Sequence, residues 1–118
     1  MSAVAWKLVD QTEWTAARAA GVYAGSAVDL ADGYIHLSGA DQLVETARRH
    51  YAGRDGLVLV TVDLAGLGDD LKWESSRGGA LFPHLYAPLP VTAVTGERTL
   101  SVDADGLMRF DDGATGWP

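Results

Sequence analysis

The chain has no cysteine, no long apolar run and no excess of basic residues, and each absence excludes a class of protein. Without cysteine there are no disulfides, no thiol nucleophiles and no cysteine-ligated zinc. No apolar run approaches the roughly 18 residues of a membrane helix. Lys7 follows only a few apolar residues, so residues 1–7 lack the basic segment and the long hydrophobic segment of a secretion signal. We therefore expect a cytoplasmic protein that does not associate with membranes.

Acidic side chains outnumber basic ones, sixteen to nine, for a net charge of -7. A surface that binds nucleic acid nonspecifically would act against this overall field, so a nucleic-acid partner is unlikely. Hydrophobic residues make up 47% of the 118 positions. This composition predicts one domain over residues 1–118 with a real core, and it leaves the oligomeric state open.

The spacing of apolar and capping residues predicts two helices. The first is capped by Asp10 and ends at Gly21. The second is capped by Ser38, has an apolar face and ends near Gly53. Residues 21–33 are rich in glycine, serine and aspartate and are predicted to form a loop.

Strand patterns fill much of the remaining chain. Residues 57–62 form a continuous β-branched and leucine run, which predicts a central strand. Asp105-Gly106 is a hairpin signal between residues 91–100 and 107–110. Residues 77–90 hold three prolines and two glycines and predict an irregular loop, and the tail after Asp111 is expected to fray. Further strands are predicted at residues 4–9, 34–37 and 71–74. The class is α+β, with two helices on a mostly antiparallel sheet.

Two histidines lie inside otherwise apolar and aromatic segments, and they are the main candidates for chemistry. His36 follows Tyr34-Ile35, and His84 stands between Pro83 and Leu85. An imidazole in a partly buried segment is suited to binding and proton transfer, although either residue could equally be a core histidine held by one hydrogen bond. His50, on the charged side of the second helix, is interpreted as a surface residue.

Three polar residues between or beside these segments complete a predicted cleft. Glu74 follows Trp73 and has either a functional role or an ordinary ion pair. Arg77 precedes two glycines and is either an anion ligand or part of a loop shaped by those glycines. Ser38 is either a ligand contact or a helix cap. We expect His36, Glu74 and Arg77 to converge on one cleft.

Metal and serine-hydrolase chemistry are not favoured. His36, His84 and Glu74 are the residue types of a hydrolytic zinc site, but no metal-ligand spacing joins them. The Gly-x-Ser-x-Gly elbow of many hydrolases is absent as well. We predict no metal site.

Four segments together resemble the family called domain of unknown function 952. They are Asp32-Gly33-Tyr34-Ile35-His36-Leu37-Ser38, Gln42-x-x-Glu45-Thr46-Ala47, Trp73-Glu74 and Phe82-Pro83-His84-Leu85-Tyr86. The resemblance implies a small domain similar to the ADP-ribosyltransferase fold, in which the residue matching His36 binds the adenosine ribose of NAD. It also implies an aromatic residue on nicotinamide, for which Tyr51 or Tyr86 is available, and a late acid, for which Glu74 or Glu97 is available. The Glu-x-Glu signature of many such enzymes is absent.

These observations lead to one functional hypothesis and one alternative. The first is a small enzyme-like domain that binds a nucleotide-like or other anionic small molecule, with NAD as candidate cofactor and ADP-ribosyl transfer as candidate reaction. His36 and Glu74 would be catalytic, and the ligand would be bound by Ser38, Arg77, His84 and Tyr86. The alternative is a noncatalytic ligand-binding or protein-interaction domain on the same fold.

Overall fold

Antiparallel sheets carry most of the regular structure. The computed structural model describes residues 4–117 apart from the side chain of Arg77. The strands in this range are Val4–Asp10 (β1), Val22–Tyr23 (β2), Ile35–His36 (β3), Leu57–Asp63 (β4), Leu71–Ser75 (β5), Leu81–Leu85 (β6), Leu89–Pro90 (β7), Val94–Val102 (β8) and Met108–Phe110 (β9). The helices are Gln11–Ala20 (α1), Ala27–Asp32 (α2) and Leu43–His50 (α3). The class is mixed α/β with mostly antiparallel sheets, as predicted, but with three helices rather than two.

The largest sheet has the strand order β1-β4-β8-β9, and β4 is central as predicted. Residues Leu57 to Val60 of β4 are buried in succession because both faces of the sheet are covered. One face of this sheet packs into a core with α1 and with residues of β2, β3, β6 and β7. The other face packs into a core with α3. Burying each such side chain stabilises the fold by roughly 1.5–3 kcal/mol.

A three-stranded sheet, β3-β6-β5, brings the two histidine segments together. His36 lies directly opposite His84 across the β3–β6 pair. The predicted irregular loop over residues 77–90 is therefore wrong, since Leu81–Leu85 is the middle strand of this sheet. Pro83 faces Leu37, the residue just after β3, and its carbonyl accepts a hydrogen bond from the Leu37 nitrogen. In an antiparallel strand the nitrogen of a residue faces the same neighbour as its carbonyl. The missing N–H of Pro83 therefore lies at the end of the β3–β6 pair, where proline is tolerated.

Helix α2 lies inside the segment predicted to be a loop. Ser26 caps it by accepting a hydrogen bond from the Asp29 backbone, and the Asp29 carboxylate accepts one from the Ser26 backbone. Gly33 ends it in the left-handed conformation, with φ of 89°. Six residues are too few for apolar periodicity, so composition alone favoured a loop.

Helix α1 matches its prediction, whereas the start of α3 does not. Asp10 caps α1 and Gly21 ends it in the left-handed conformation. Ser38 does not cap α3, which begins after Gln42. The Ser38 backbone instead bridges to Trp6, and its hydroxyl contacts that of Thr46 at 3.1 Å. Helix α3 ends at His50, slightly before the predicted end.

The hairpin of β8 and β9 is confirmed, and the residues that follow it, as far as Trp117, are held by hydrogen bonds rather than frayed. The Gly116 backbone donates to Met108, and Thr115 bridges to Arg109. The indole of Trp117 donates to the Ala40 carbonyl, which ties the tail to the body of the protein. In residues 4–117, no helix is long and apolar enough to cross a membrane.

Candidate functional site

A cleft of about 750 Å³ lies beside the histidine pair. Its wall includes residues of α2, α3, β3 and β6, so elements distant in sequence meet there. Among the predicted site residues, His36, Ser38 and His84 line it. The volume is within the range of small-molecule sites, about 300–1,000 Å³.

His36 is held by a buried carboxylate. Its Nδ1 lies 2.6 Å from Oδ1 of Asp29, which also accepts a hydrogen bond from the His36 backbone nitrogen at 3.1 Å. The Asp29 side chain is 2% exposed, whereas that of His36 is 33% exposed. A carboxylate on Nδ1 fixes the ring orientation and places the proton on that nitrogen, so Nε2 is the atom that faces outward.

Lys7 completes the buried part of this cluster. Its ammonium lies 3.1 Å from Oδ2 of Asp29 and donates to the His36 carbonyl at 3.0 Å. Burial lowers the pKa of Lys7, and the facing carboxylate opposes that shift. Burial would raise the pKa of Asp29, but hydrogen bonds from His36 and Ser26 and the charge of Lys7 outweigh it and hold that pKa well below its ordinary value. The three groups form an ammonium, a carboxylate and an imidazole in contact.

A second carboxylate contacts the other nitrogen of His36. Oδ2 of Asp32 lies 2.9 Å from Nε2, and the Asp32 side chain is 47% exposed. Asp32 is the last residue of α2 and lies in the cleft wall. Both ring nitrogens of His36 therefore face carboxylate oxygens, an arrangement in which both contacts are hydrogen bonds only for the imidazolium ion.

His84 has its own carboxylate partner, Glu74. Nδ1 of His84 lies 2.9 Å from Oε1 of Glu74, and the same oxygen accepts a hydrogen bond from the Tyr86 hydroxyl at 2.6 Å. These contacts, the Tyr86 bond first, lower the pKa of Glu74. The bond to Glu74 in turn raises the pKa of Tyr86 to about 12. Glu74 and Tyr86 are outside the described wall of the cleft and reach it through His84.

Tyr34 connects the two histidines. Its ring stacks on His84 with 4.1 Å between centroids, and it lies 4.6 Å from the His36 ring. The two imidazole rings are 5.7 Å apart. Tyr34 also contacts the ring of Tyr86 at 5.1 Å. The structure thus joins His36, His84 and Tyr86 into one aromatic cluster.

The contacts of Ser38 and Glu74 differ from those expected, and the prediction for Arg77 is not tested. The Ser38 hydroxyl contacts Thr46 in the cleft wall rather than capping a helix. Glu74 contacts His84 and not the cleft, so the expected convergence of His36 and Glu74 is indirect. Arg77 lies in a short turn, Arg77–Gly79, but its side chain is outside the described residues.

Sequence reasoning missed Lys7, Asp29, Asp32 and Tyr34. For Lys7 and Asp29 the sequence contains a pattern that could have indicated the role. Lys7 is two residues from both Ala5 and Val9, so the three side chains share the apolar face of β1, where a lysine needs a partner. Ser26 and Asp29 have capping-box spacing inside the predicted loop. Among the residues described, no group of three or more potential ligands is arranged to hold a metal ion.

Comparison with known proteins identifies the family. A search of curated proteins gives no match. Among solved structures, the crystal structure of protein CC0527 from Caulobacter crescentus has a TM-score of 0.85 and 54% identity, and the match covers 89% of this chain and 92% of that one. The solution NMR structure of CC0527 has a TM-score of 0.78 and 54% identity, with 89% and 90% covered. The model of the family described as "Protein of unknown function (DUF952)" matches residues 8–97, so the chain belongs to the DUF952 family.

Proposed function

We propose that the cleft beside His36 and His84 binds a nucleotide-like, anionic small molecule. One observation carries this proposal. Two imidazoles lie opposite each other across β3 and β6 in an edge-to-face arrangement, and a carboxylate contacts Nδ1 of each, Asp29 at 2.6 Å and Glu74 at 2.9 Å. A histidine held by a carboxylate at Nδ1 presents Nε2 for ligand binding or proton transfer.

The charges around the cleft favour an anionic ligand. Three of the chain's nine basic residues, Lys7, Arg49 and Arg54, belong to the wall of the cleft as far as its side chains are described. Of the sixteen acidic residues, Glu13, Asp29 and Asp32 do. The described wall of the cleft is therefore balanced in charge on a protein whose net charge is -7. An anion therefore meets less repulsion there than the net charge of the whole chain would produce.

The reaction that we propose to test first is ADP-ribosyl transfer from NAD, which the family resemblance implied. In that reaction the bond between nicotinamide nitrogen and the ribose anomeric carbon breaks, and nicotinamide leaves with the electron pair. A hydroxyl oxygen of water or of an acceptor bonds to the carbon and loses its proton. We propose that His84 receives that proton, since Glu74 contacts Nδ1 and would stabilise the imidazolium that forms. Glu74 is then a positioning residue and not the group that contacts the anomeric carbon.

The ligand proposal is tested by calorimetric titration with NAD, ADP-ribose and AMP. We expect His36→Ala to weaken nucleotide binding at least tenfold with little loss of thermal stability. The control is Arg98→Gln, because Arg98 pairs with Asp112 outside the described cleft wall and should leave binding unchanged. If the wild-type protein binds none of the three at millimolar concentration, nucleotides are not ligands of this cleft.

A noncatalytic binding domain is the second candidate, and one observation favours it. Glu74, the predicted catalytic acid, is outside the described wall of the cleft. Chromatographic measurement of nicotinamide released from NAD separates the two candidates. Release above the uncatalysed rate, lost in His84→Gln, supports an enzyme. Binding of NAD without release supports a ligand-binding domain.

A further inference from the structure

The buried carboxylate of Asp29 faces two groups at the base of the cleft. It contacts the Lys7 ammonium and Nδ1 of His36. Because Asp29 occupies Nδ1, the other ring nitrogen of His36, Nε2, is left to a second anion.

Asp32 supplies that second anion from the solvent side. Its carboxylate lies 2.9 Å from Nε2 of His36, and nearly half of its side chain is exposed. It is the last residue of α2, and Gly33 follows it with φ of 89°. Asp29, by contrast, accepts hydrogen bonds from two backbone nitrogens and from Lys7. Of the two carboxylates on His36, Asp32 is therefore the one that can move away while the contacts of Asp29 with Lys7 and His36 remain.

We propose that Nε2 of His36 is the phosphate subsite of this cleft, and that Asp32 occupies the subsite until a phosphate oxygen of the ligand displaces it. The inference rests on the proposed function, since it assigns one group of a nucleotide-like ligand to one atom of the site. It also changes the role that the family resemblance implied for His36. In this proposal Nε2 binds an anionic oxygen rather than a ribose hydroxyl.

The present occupant of the subsite distinguishes phosphate from hydroxyl. Asp32 places an anionic oxygen 2.9 Å from Nε2, and a phosphate oxygen can take the same position with the same sign of charge. A ribose hydroxyl is neutral, and hydrogen bonds to an ionised partner are roughly twice as strong as neutral ones. The displaced Asp32 carboxylate becomes solvated, which is inexpensive for a side chain already half exposed.

The experiment compares AMP, adenosine and inorganic phosphate as ligands of four proteins: wild type, Asp32→Asn, Glu13→Gln and His36→Gln. Glu13→Gln is the matched control, because Glu13 also lines the cleft and its loss removes one negative charge. We expect Asp32→Asn to bind AMP about three- to fivefold more tightly than Glu13→Gln does, the range set by release of an exposed ion pair. Adenosine affinity should be equal in the two variants. His36→Gln should abolish the preference for AMP over adenosine.

Nitrogen NMR of the histidine rings gives a second readout that does not depend on nucleotide binding. Inorganic phosphate should shift the Nε2 resonance of His36, and less phosphate should be needed in Asp32→Asn than in wild type. Equal AMP affinity in Asp32→Asn and Glu13→Gln would overturn the subsite while leaving the proposed function intact. A shift at His36 with phosphate, strengthened in Asp32→Asn, in a protein that binds no nucleotide would support the subsite and overturn the proposed function. No shift in either protein would overturn the subsite.

Discussion

The two histidines of the cleft have carboxylate partners with opposite burial. At His36 the carboxylate is buried and the imidazole is a third exposed. At His84 the imidazole is 4% exposed and the carboxylate of Glu74 is 38% exposed. A carboxylate in contact with an imidazole therefore has a different role at the two positions. The Asp29 contact belongs to the folded core, whereas the Glu74 contact adjusts a ring that packing already holds in place.

This difference predicts which partner matters for stability. Removal of the buried carboxylate of Asp29 leaves the buried Lys7 ammonium without its counter-charge, whereas removal of an exposed carboxylate leaves groups that water can solvate. Within the His84 pair it is the imidazole whose loss empties space inside the protein. Stability should thus depend on Asp29 and His84 more than on His36 and Glu74.

The largest expected effect is that of Asp29→Asn. This change should lower the free energy of unfolding by about 3–5 kcal/mol, the cost of breaking a buried ion pair on one side. Urea denaturation at pH 7 measures it. Asp32→Asn is the matched control and should cost no more than about 1 kcal/mol, because Asp32 is half exposed. Equal losses in the two variants would contradict the assignment of Asp29 to the core.

A smaller loss is expected for His84→Ala. The buried ring packs against Tyr34, so truncation should cost about 2–3 kcal/mol through the cavity and the lost hydrogen bond. His36→Ala should cost about 1 kcal/mol or less, since its ring is partly solvated. Thermal melts of both proteins, with calorimetric titration of nucleotides, test this order. A greater loss of stability in His36→Ala would reverse the comparison.

Acid should remove the contribution of Asp29 gradually. Its pKa in the folded protein lies below the ordinary value of 3.8, so the unfolded chain binds the proton more readily. The stabilisation is therefore complete above about pH 4 to 5 and is lost as pH falls below that range. Urea denaturation of wild type and Asp29→Asn at pH 7, 5, 4 and 3 should give a difference that shrinks only in the acid samples. A constant difference would mean that Asp29 does not carry the charge assigned to it.

The smallest effect is on the titration of Tyr86. Glu74 accepts its hydroxyl hydrogen bond and raises its pKa to about 12, so Glu74→Gln should lower that pKa toward the ordinary value of 10.0. Carbon NMR of labelled tyrosine follows the titration, and Tyr86→Phe identifies the resonance. Glu97→Gln is the matched control, because Glu97 pairs with Arg18 in another part of the protein. An unchanged Tyr86 titration in Glu74→Gln would contradict the contact.

The parts of the fold that were predicted correctly depend on local signals. The uniform apolar run of β4, the Asp10 cap of α1 and the Asp105-Gly106 turn each lie within a few residues of the structure that they specify. The strand that contains His84 was missed because its proline and neighbouring glycines suggested a loop. Proline is acceptable there because its missing N–H faces the end of β3, a strand of two residues.

The candidate site was predicted only in part, for a similar reason. His36 and His84 stood out because an imidazole in an apolar segment is unusual wherever that segment lies. Asp29 and Lys7 did not stand out, since an aspartate in a polar stretch and a lysine near the start of the chain are ordinary. Their importance comes from burial, which depends on what packs over them.

The sequence by itself determined the mixed class, the central strand, the excess of acid and the two histidine segments, because composition, periodicity and turn chemistry are properties of neighbouring residues. Only the tertiary structure decided that Lys7, Asp29 and Asp32 meet at His36, and that Glu74 meets His84 rather than the cleft. These contacts join residues up to 29 positions apart in the chain. Such contacts exist because the sheets bring their segments together, and the charge of each group is set by neighbours that no local pattern specifies.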